Sequence, residues 1–340
     1  MNVAFRVDAS LEVGIGHLMR CLTLAEALQD KGVQIHFYCK EHVGNLNAML
    51  QQKGMSVTEL PVSPDGELDD AEQTIQALKG DKPDWLVVDH YGLNISWEQH
   101  IRPHVGKLMV IDDLAMRKHD CDLLLDQNYA IEGEQRYKGL VSDSCKVLLG
   151  PDYGLLRKEF QRLRELRETK QSELKKILVF FTAGDDLGET LKAMHGVELF
   201  GKIESVDVVV GQANPHNPVI RKKCDELHWG FHCQVDYMPR LIAEADLVVG
   251  AGGSSNWERC ALGVPAMVTI LAENQAPIAE VLDSIGVVHN LGWCNKLQAK
   301  DYTNALSVIN GQSLACMSKN ALKLVDAKGA ERVANILLLR

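Results

Sequence analysis

The sequence predicts an α/β protein built as two doubly wound, mostly parallel sheets in succession. Three observations predict it. Apolar runs of strand length alternate with segments of helical spacing in both halves. A stretch dense in charge, 157–176, separates the halves. Each half also carries a glycine-rich turn where a strand hands over to a helix, at GIGH (14–17) and AGGSS (251–255). A chain of 340 residues exceeds the usual size of one compact domain, and its 46% hydrophobic content is enough to fill two cores.

The opening NVAFRV alternates Val3, Phe5 and Val7 as a strand does. HLMRCLTLAEALQDKG (17–32) then repeats Leu18, Cys21, Leu22, Ala25 and Leu28 at helical spacing until Gly32 stops it. Further strands are expected at 33–39, 56–60, 85–91, 107–114, 122–128 and 146–150, with helical segments between several of them. The charged stretch RKEFQRLRELRETKQSELKK offers little apolar surface and reads as an exposed helix bridging two domains. Beyond it KILVFFT (176–182), VDVVVG (206–211), ADLVVG (245–250) and AMVTIL (266–271) are continuous apolar runs, as in strands covered on both faces. The expected organisation is an N-terminal Rossmann-like domain over 1–155 and a linker helix over 156–174. A second Rossmann-like domain follows over 175–312, and closing helices over 313–340 cross back to the first. Two such sheets facing each other would leave a cleft at the carboxyl ends of their strands, suited to a nucleotide-linked substrate.

Composition excludes several classes of function. A net charge of −10 argues against nucleic acid or an anionic membrane as the main partner. Arg6 and Asp8 interrupt the first apolar run, so no signal peptide is read there, and no stretch reaches the length of a membrane span. Nine cysteines without a CxxC pair suit reduced thiols, and the expected location is the cytoplasm. HWGFHC (228–233) lacks a second ligand pair at metal-site spacing and reads as surface and core. Adjacent Asp112 and Asp113 would point to opposite faces of a strand, a poor metal pair. No GxSxG, HExxH or Walker pattern occurs, and neither a cofactor nor a metal is expected.

The residues that could carry chemistry lie at strand ends. His17 follows Gly16 where the chain enters its first helix. The positive end of that helix disfavours an imidazolium, which suits a base; the alternative is a surface or capping histidine. In AGGSSNWERCALGVP (251–265), Gly252 and Gly253 allow a tight turn, and Ser254 or Ser255 opens a helix whose free amides attract phosphate oxygens. Glu258 could accept hydrogen bonds from ribose hydroxyls, or form a capping box as Ser255-x-x-Glu258. Tyr91, closing DHY (89–91), could bind a sugar or simply edge the sheet, and AENQ (272–275) is a polar loop or a wall of the sugar site. Tyr129 and Trp257 read as packing residues.

Taken together and in order, RVDAS…GIGHLMRCLTLA, LVVDHYGL, ADLVVGAGGSSNWERCALGVPAM, AENQ and VDAKGAERV (325–333) resemble the pseudaminic acid biosynthesis hydrolase family, essentially end to end. The resemblance implies a two-domain, glycosyltransferase-B-like fold of the MurG type, with UDP held mainly by the C-terminal domain. It implies hydrolysis of UDP-2,4-diacetamido-2,4,6-trideoxy-β-L-altropyranose to UDP and the free sugar without a metal, the sugar then serving a sialic-acid-like product used on flagellin or surface polysaccharide. By the same resemblance His17 is the base that activates water. Tyr91, Asn274 and Gln275 face the sugar, and Arg6, Asp8 and Gly16 shape or line the substrate site. Gly252, Gly253, Ser254 and Ser255 hold the diphosphate, and Glu258 holds ribose. One departure is Ala183-Gly184-Asp185-Asp186, where the family carries a GGSD or GGTD turn. Two other readings are a glycosyltransferase of the same architecture and a non-catalytic nucleotide-sugar binder.

Overall fold

The computed structural model describes residues 1–8, 16–62, 66–129, 131–166, 173–182, 184 and 186–339. Gly14 of the first glycine turn, Ala183 and Asp185 of the atypical turn, and 167–172 of the charged stretch lie outside the described residues. The chain separates into two compact units, Met1–Leu156 with Lys328–Arg340, and Arg157–Ala327.

The first unit begins with β1 (Asn2–Val7), α1 (Gly16–Gln29), β2 (Gln34–Lys40), α2 (Asn47–Gln52), β3 (Ser56–Leu60) and α3 (Glu67–Leu78). It continues with β4 (Trp85–Asp89), α4 (Ile95–Ile101), β5 (Lys107–Ile111), β6 (Leu123–Asp126) and β7 (Lys146–Leu149). Seven strands form one parallel sheet in the order β3-β2-β1-β4-β5-β6-β7. Strand β4 reads Trp-Leu-Val-Val-Asp and is buried throughout, because helices cover both faces of the sheet. One core packs Phe5, Phe37, Val87 and Met109 against Leu18, Leu22 and Ala25 of α1. The other packs Leu86, Val88 and Val110 against Trp97 and Ile101 of α4. The chain leaves β1 toward one side and β4 toward the other, so β1 and β4 flank the point where the winding reverses. Ligands of open α/β sheets collect at the carboxyl ends of such a pair.

The second unit runs α5 (Lys158–Leu166), β8 (Lys176–Phe180), α6 (Glu189–Phe200), β9 (Ser205–Val210), α7 (Asn217–Leu227), β10 (Gly230–Cys233) and α8 (Met238–Glu244). It continues with β11 (Leu247–Ala251), α9 (Ser255–Ala261), β12 (Ala266–Ile270), α10 (Ala276–Ser284), β13 (Val288–Trp293), α11 (Ala299–Val308) and α12 (Gly311–Leu324). Six parallel strands are ordered β10-β9-β8-β11-β12-β13, which puts the reversal between β8 and β11. Gly250 is required there: a Cβ on it would lie 2.0 Å from the Phe180 carbonyl oxygen. The last helix, α13 (Gly329–Leu338), belongs to the first unit, where Val333, Ala334 and Leu337 join the α1 core.

Two expectations need correction. The charged stretch is not a bare bridging helix. Its described helical part, α5, buries Phe160, and Arg164 donates to the carbonyls of Ala261, Val325 and Leu322, all in the second unit. One apolar anchor and one guanidinium capping three carbonyls suffice to dock a helix that is charged elsewhere. HWGFHC contributes a strand, β10, at the sheet edge, which four residues flanked by histidines and tryptophan do not announce. Strand β13 was equally hidden: it begins at Val288, but Asn290 and Gly292 break the apolar run and its register shifts opposite Val268/Thr269.

Candidate active site

His17 occupies the first turn of α1, directly after the β1 end of the first switch point. Its Nδ1 lies 2.6 Å from Asp89 Oδ1, at the end of β4 on the other side of that switch point. A carboxylate oxygen can only accept, so Nδ1 carries the proton and Nε2 is left as the acceptor. Arg20 Nη2 also lies 3.1 Å from Nδ1, but a guanidinium cannot accept that proton, so the shorter carboxylate contact sets the tautomer. Arg20, one turn along the same helix face, grips Asp89 as a fork, with Nε to Oδ2 at 2.5 Å and Nη2 to Oδ1 at 2.6 Å. Burial alone would raise the Asp89 carboxyl; Arg20 and His17 beside it hold it well below the usual carboxylate range.

The network continues outward. Arg20 Nη1 donates to Asp113 Oδ2 at 2.9 Å, and Tyr91 OH donates to Asp113 Oδ1 at 2.8 Å. The Tyr91 ring stands edge-on to His17, with centroids 4.6 Å apart, and the side chain is otherwise exposed. His17 and Tyr91 are therefore brought together. Asp112 and Asp113 do diverge: Asp112 is buried and accepts from Arg117, Ala115 N and Tyr137 OH, whereas Asp113 serves the site.

Arg6 and Asp8 are placed differently from the expectation of substrate contact. Arg6 is 0% exposed, and its donors go to Asp8 at 2.6 and 2.9 Å and to Asp70 at 2.5 and 3.1 Å. Asp70 also takes Lys40 Nζ at 2.9 Å and Trp97 Nε1 at 2.9 Å. With no surface of its own, Arg6 acts on the site only through Asp8, whose Oδ2 lies 3.5 Å from His90 Nε2 and 3.7 Å from His42 Nε2. His90 Nδ1 accepts from Gly92 N at 3.0 Å, so the proton of its neutral ring is on Nε2, facing Asp8. Burial, with the Arg6 charge nearby, pushes His90 down to about 4, so it is uncharged at neutral pH. Among the described residues, a Cβ on Gly16 would meet nothing within 4 Å.

The second switch point carries the other set of residues. Beyond β11, Gly252 N donates to Thr269 O at 3.1 Å, and Asn256 Nδ2 holds Gly252 O at 2.9 Å. Ser254 is the N-cap of α9, without a side-chain cap. That places Glu258 one position beyond the capping-box site, so the capping alternative does not form. Glu258 is half-buried, and burial raises its carboxyl, against the charges of Arg157 and Arg259. Gln275 packs against the glycine turn: its Cβ is 3.8 Å from where a Gly252 Cβ would be, and its Nε2 is 3.7 Å from the Gly253 counterpart. Gln275 Oε1 is taken by Leu271 N at 3.0 Å, while Asn274 beside it is exposed. Among the described residues, no three His, Cys, Asp or Glu side chains are grouped to hold a metal ion. Trp257 is core, as expected, and Tyr129 is half-buried.

Sequence reasoning missed Asp89 as the partner of His17, together with Arg20, Asp113, His90 and His42. A signal for Arg20 existed, since it stands three residues after His17 and shares its helix face. Asp89 and Asp113 needed the strand order.

Two parallel-sheet α/β domains, of seven and six strands with one winding reversal each, define the glycosyltransferase-B fold class. The chain matches the crystal structure of Acinetobacter baumannii MurG with a TM-score of 0.70 at 14% identity, covering 100% of this chain and 99% of that one. No protein-family model matches the chain. It is 29% identical over 262 residues to the UDP-2,4-diacetamido-2,4,6-trideoxy-β-L-altropyranose hydrolase of Campylobacter jejuni, covering 75% of this chain and 87% of the relative. It is 26% identical over 344 residues to the spore coat polysaccharide biosynthesis protein SpsG of Bacillus subtilis, covering 99% and 98%.

Proposed function

We propose that this chain is a UDP-sugar hydrolase that cleaves UDP-2,4-diacetamido-2,4,6-trideoxy-β-L-altropyranose, the substrate in the name of the Campylobacter relative. His17 is the base. Its Nε2 takes a proton from water as the water oxygen bonds to the anomeric carbon; the bond from that carbon to the β-phosphate oxygen breaks, and UDP leaves with the electron pair. Attack opposite the leaving group inverts the anomeric centre. UDP is already a good leaving group, so no strong general acid is needed.

One observation carries this reading: the 2.6 Å hydrogen bond from His17 Nδ1 to an Asp89 that Arg20 holds ionised. A histidine whose inner nitrogen is fixed on a carboxylate presents the other as a base of defined direction. Tyr91 is assigned to the sugar. The turn Gly252–Ser255 is assigned to the diphosphate, Glu258 to the ribose, and Asn274 and Gln275 to the boundary between sugar and phosphate. Arg6 and Asp8 are assigned to supporting that site from beneath.

The test is acceptor-free release of UDP from a small panel of UDP-sugars, run with a chelator present. The expected result is steady release from diacetamido-trideoxy sugars and little from UDP-N-acetylglucosamine. Release only when a sugar or lipid acceptor is added would make the chain a transferase, and tight binding without release would make it a binder. Release abolished by the chelator and restored by magnesium would refute metal independence.

A further inference from the structure

Arg259, in the last turn of α9, is an electrostatic anomaly. Its side chain is 2% exposed, yet no carboxylate pairs with it among the described residues. Nε and Nη1 make no hydrogen bond at all. Only Nη2 is engaged, donating to Ala251 O at 3.0 Å and to Asn256 Oδ1. Burial lowers its pKa to about 10, with Cys260 and Glu258 acting the other way, so the group stays charged at neutral pH. A buried, unpaired guanidinium is costly, and proteins rarely keep one without a use.

Its position indicates the use. A Cβ on Gly250 would come within 3.3 Å of Nη1, so the charge lies directly beneath the end of β11. Through Nη2 and Asn256 it draws the carbonyls of Ala251 and Gly252 inward. In a trans peptide the C=O and N–H point opposite ways, so pulling in the Gly252 carbonyl turns the Gly253 amide outward. Helix α9 has only seven residues and contributes a weak dipole of its own. The positive potential of the turn must come from elsewhere, and Arg259 is the cation placed to supply it.

We propose that Arg259 is the fixed buried charge that attracts and holds the diphosphate of the nucleotide over the Gly250–Gly253 turn, through the backbone rather than by contact. The inference rests on the assignment of this turn to UDP. Arg259 is then a positioning residue whose missing counter-ion is the ligand's own phosphate charge. It accounts for the tolerance of an orphaned guanidinium.

The experiment compares UDP with uridine, which keeps the base and ribose but carries no phosphate, by calorimetry and ligand-observed NMR. The proteins are wild type, Arg259→Gln and Arg259→Lys, with ligand-free thermal unfolding recorded for each. Arg259→Gln should weaken UDP by on the order of tenfold or more while uridine changes less than about twofold. Arg259→Lys, which keeps the charge, should recover most of the UDP affinity and remains informative if the glutamine variant fails to fold. Equal weakening of UDP and uridine, or a lysine variant as poor as glutamine, would reduce Arg259 to a structural support and overturn the proposal. Unchanged UDP binding in the variants would overturn it as well. Wild type that binds uridine but gains nothing from the phosphates would overturn the assignment of the turn itself, a separate failure.

Discussion

At the scale of single residues, the account turns on how His17 is held. Its inner nitrogen is committed to Asp89, and Asp89 is committed to Arg20, so the ring has one tautomer and one outward acceptor. Replacing His17 by Asn removes the proposed base but leaves the second unit's residues assigned to the nucleotide untouched. Turnover should fall by ~10²–10⁴-fold while UDP affinity, measured by calorimetry, stays within about twofold. A folded variant with unchanged turnover would show that water is activated elsewhere. His17, Tyr91 and the glycine turn at 252–253 were legible because each is local: a glycine-flanked histidine, a tyrosine closing a strand, paired glycines before a helix. Asp89 was quoted in the same DHY stretch, yet its role stayed hidden. It depends on β4 lying beside β1, a neighbour relation between residues 72 positions apart.

At the scale of elements, the loop after β5 shows how the site is tied to the sheet. His119 is buried, with Nδ1 2.6 Å from Glu98 Oε1 on α4 and Nε2 3.7 Å from Asp112 Oδ1. Burial alone would lower it, but Asp112 and Glu98 outweigh burial and raise it to about 9. Because the folded value lies above that of an unfolded histidine near 6.5, the triad's contribution is fully present below about pH 6.5. It is lost as the pH rises through 9. Unfolding free energy should therefore drop by on the order of 3 kcal/mol between pH 6.5 and 9.5, and His119→Gln should flatten much of that slope. A wild-type profile as flat as the variant's would contradict the charged triad. Nothing in the sequence marked this triad, since Glu98, Asp112 and His119 share no motif. Long apolar strands were legible by contrast: 56–60 coincides with β3, and 107–114 and 266–271 contain β5 and β12. Strands β10 and β13 were not, because β10 spans only four residues with a histidine among them and Asn290 and Gly292 interrupt β13.

At the scale of the whole molecule, a net charge of −10 coexists with a buried cation, Arg259, beside the turn to which the anionic diphosphate is assigned. Bulk charge speaks for solubility and against polyanionic partners, and is silent about a pocket. The same separation holds for fold and function. A TM-score of 0.70 at 14% identity establishes the two-sheet architecture, and that architecture serves more than one chemistry. Topology therefore does not choose between water and a sugar hydroxyl as the nucleophile. No described helix is long and apolar enough to cross a membrane. The bond that breaks is the most direct test. Hydrolysis run in ¹⁸O-labelled water, with products analysed by mass spectrometry, should place the label on C1 of the released sugar and none on UDP. Label on the β-phosphate of UDP would mean attack at phosphorus and would contradict the role of His17 as the base that delivers water to the anomeric carbon.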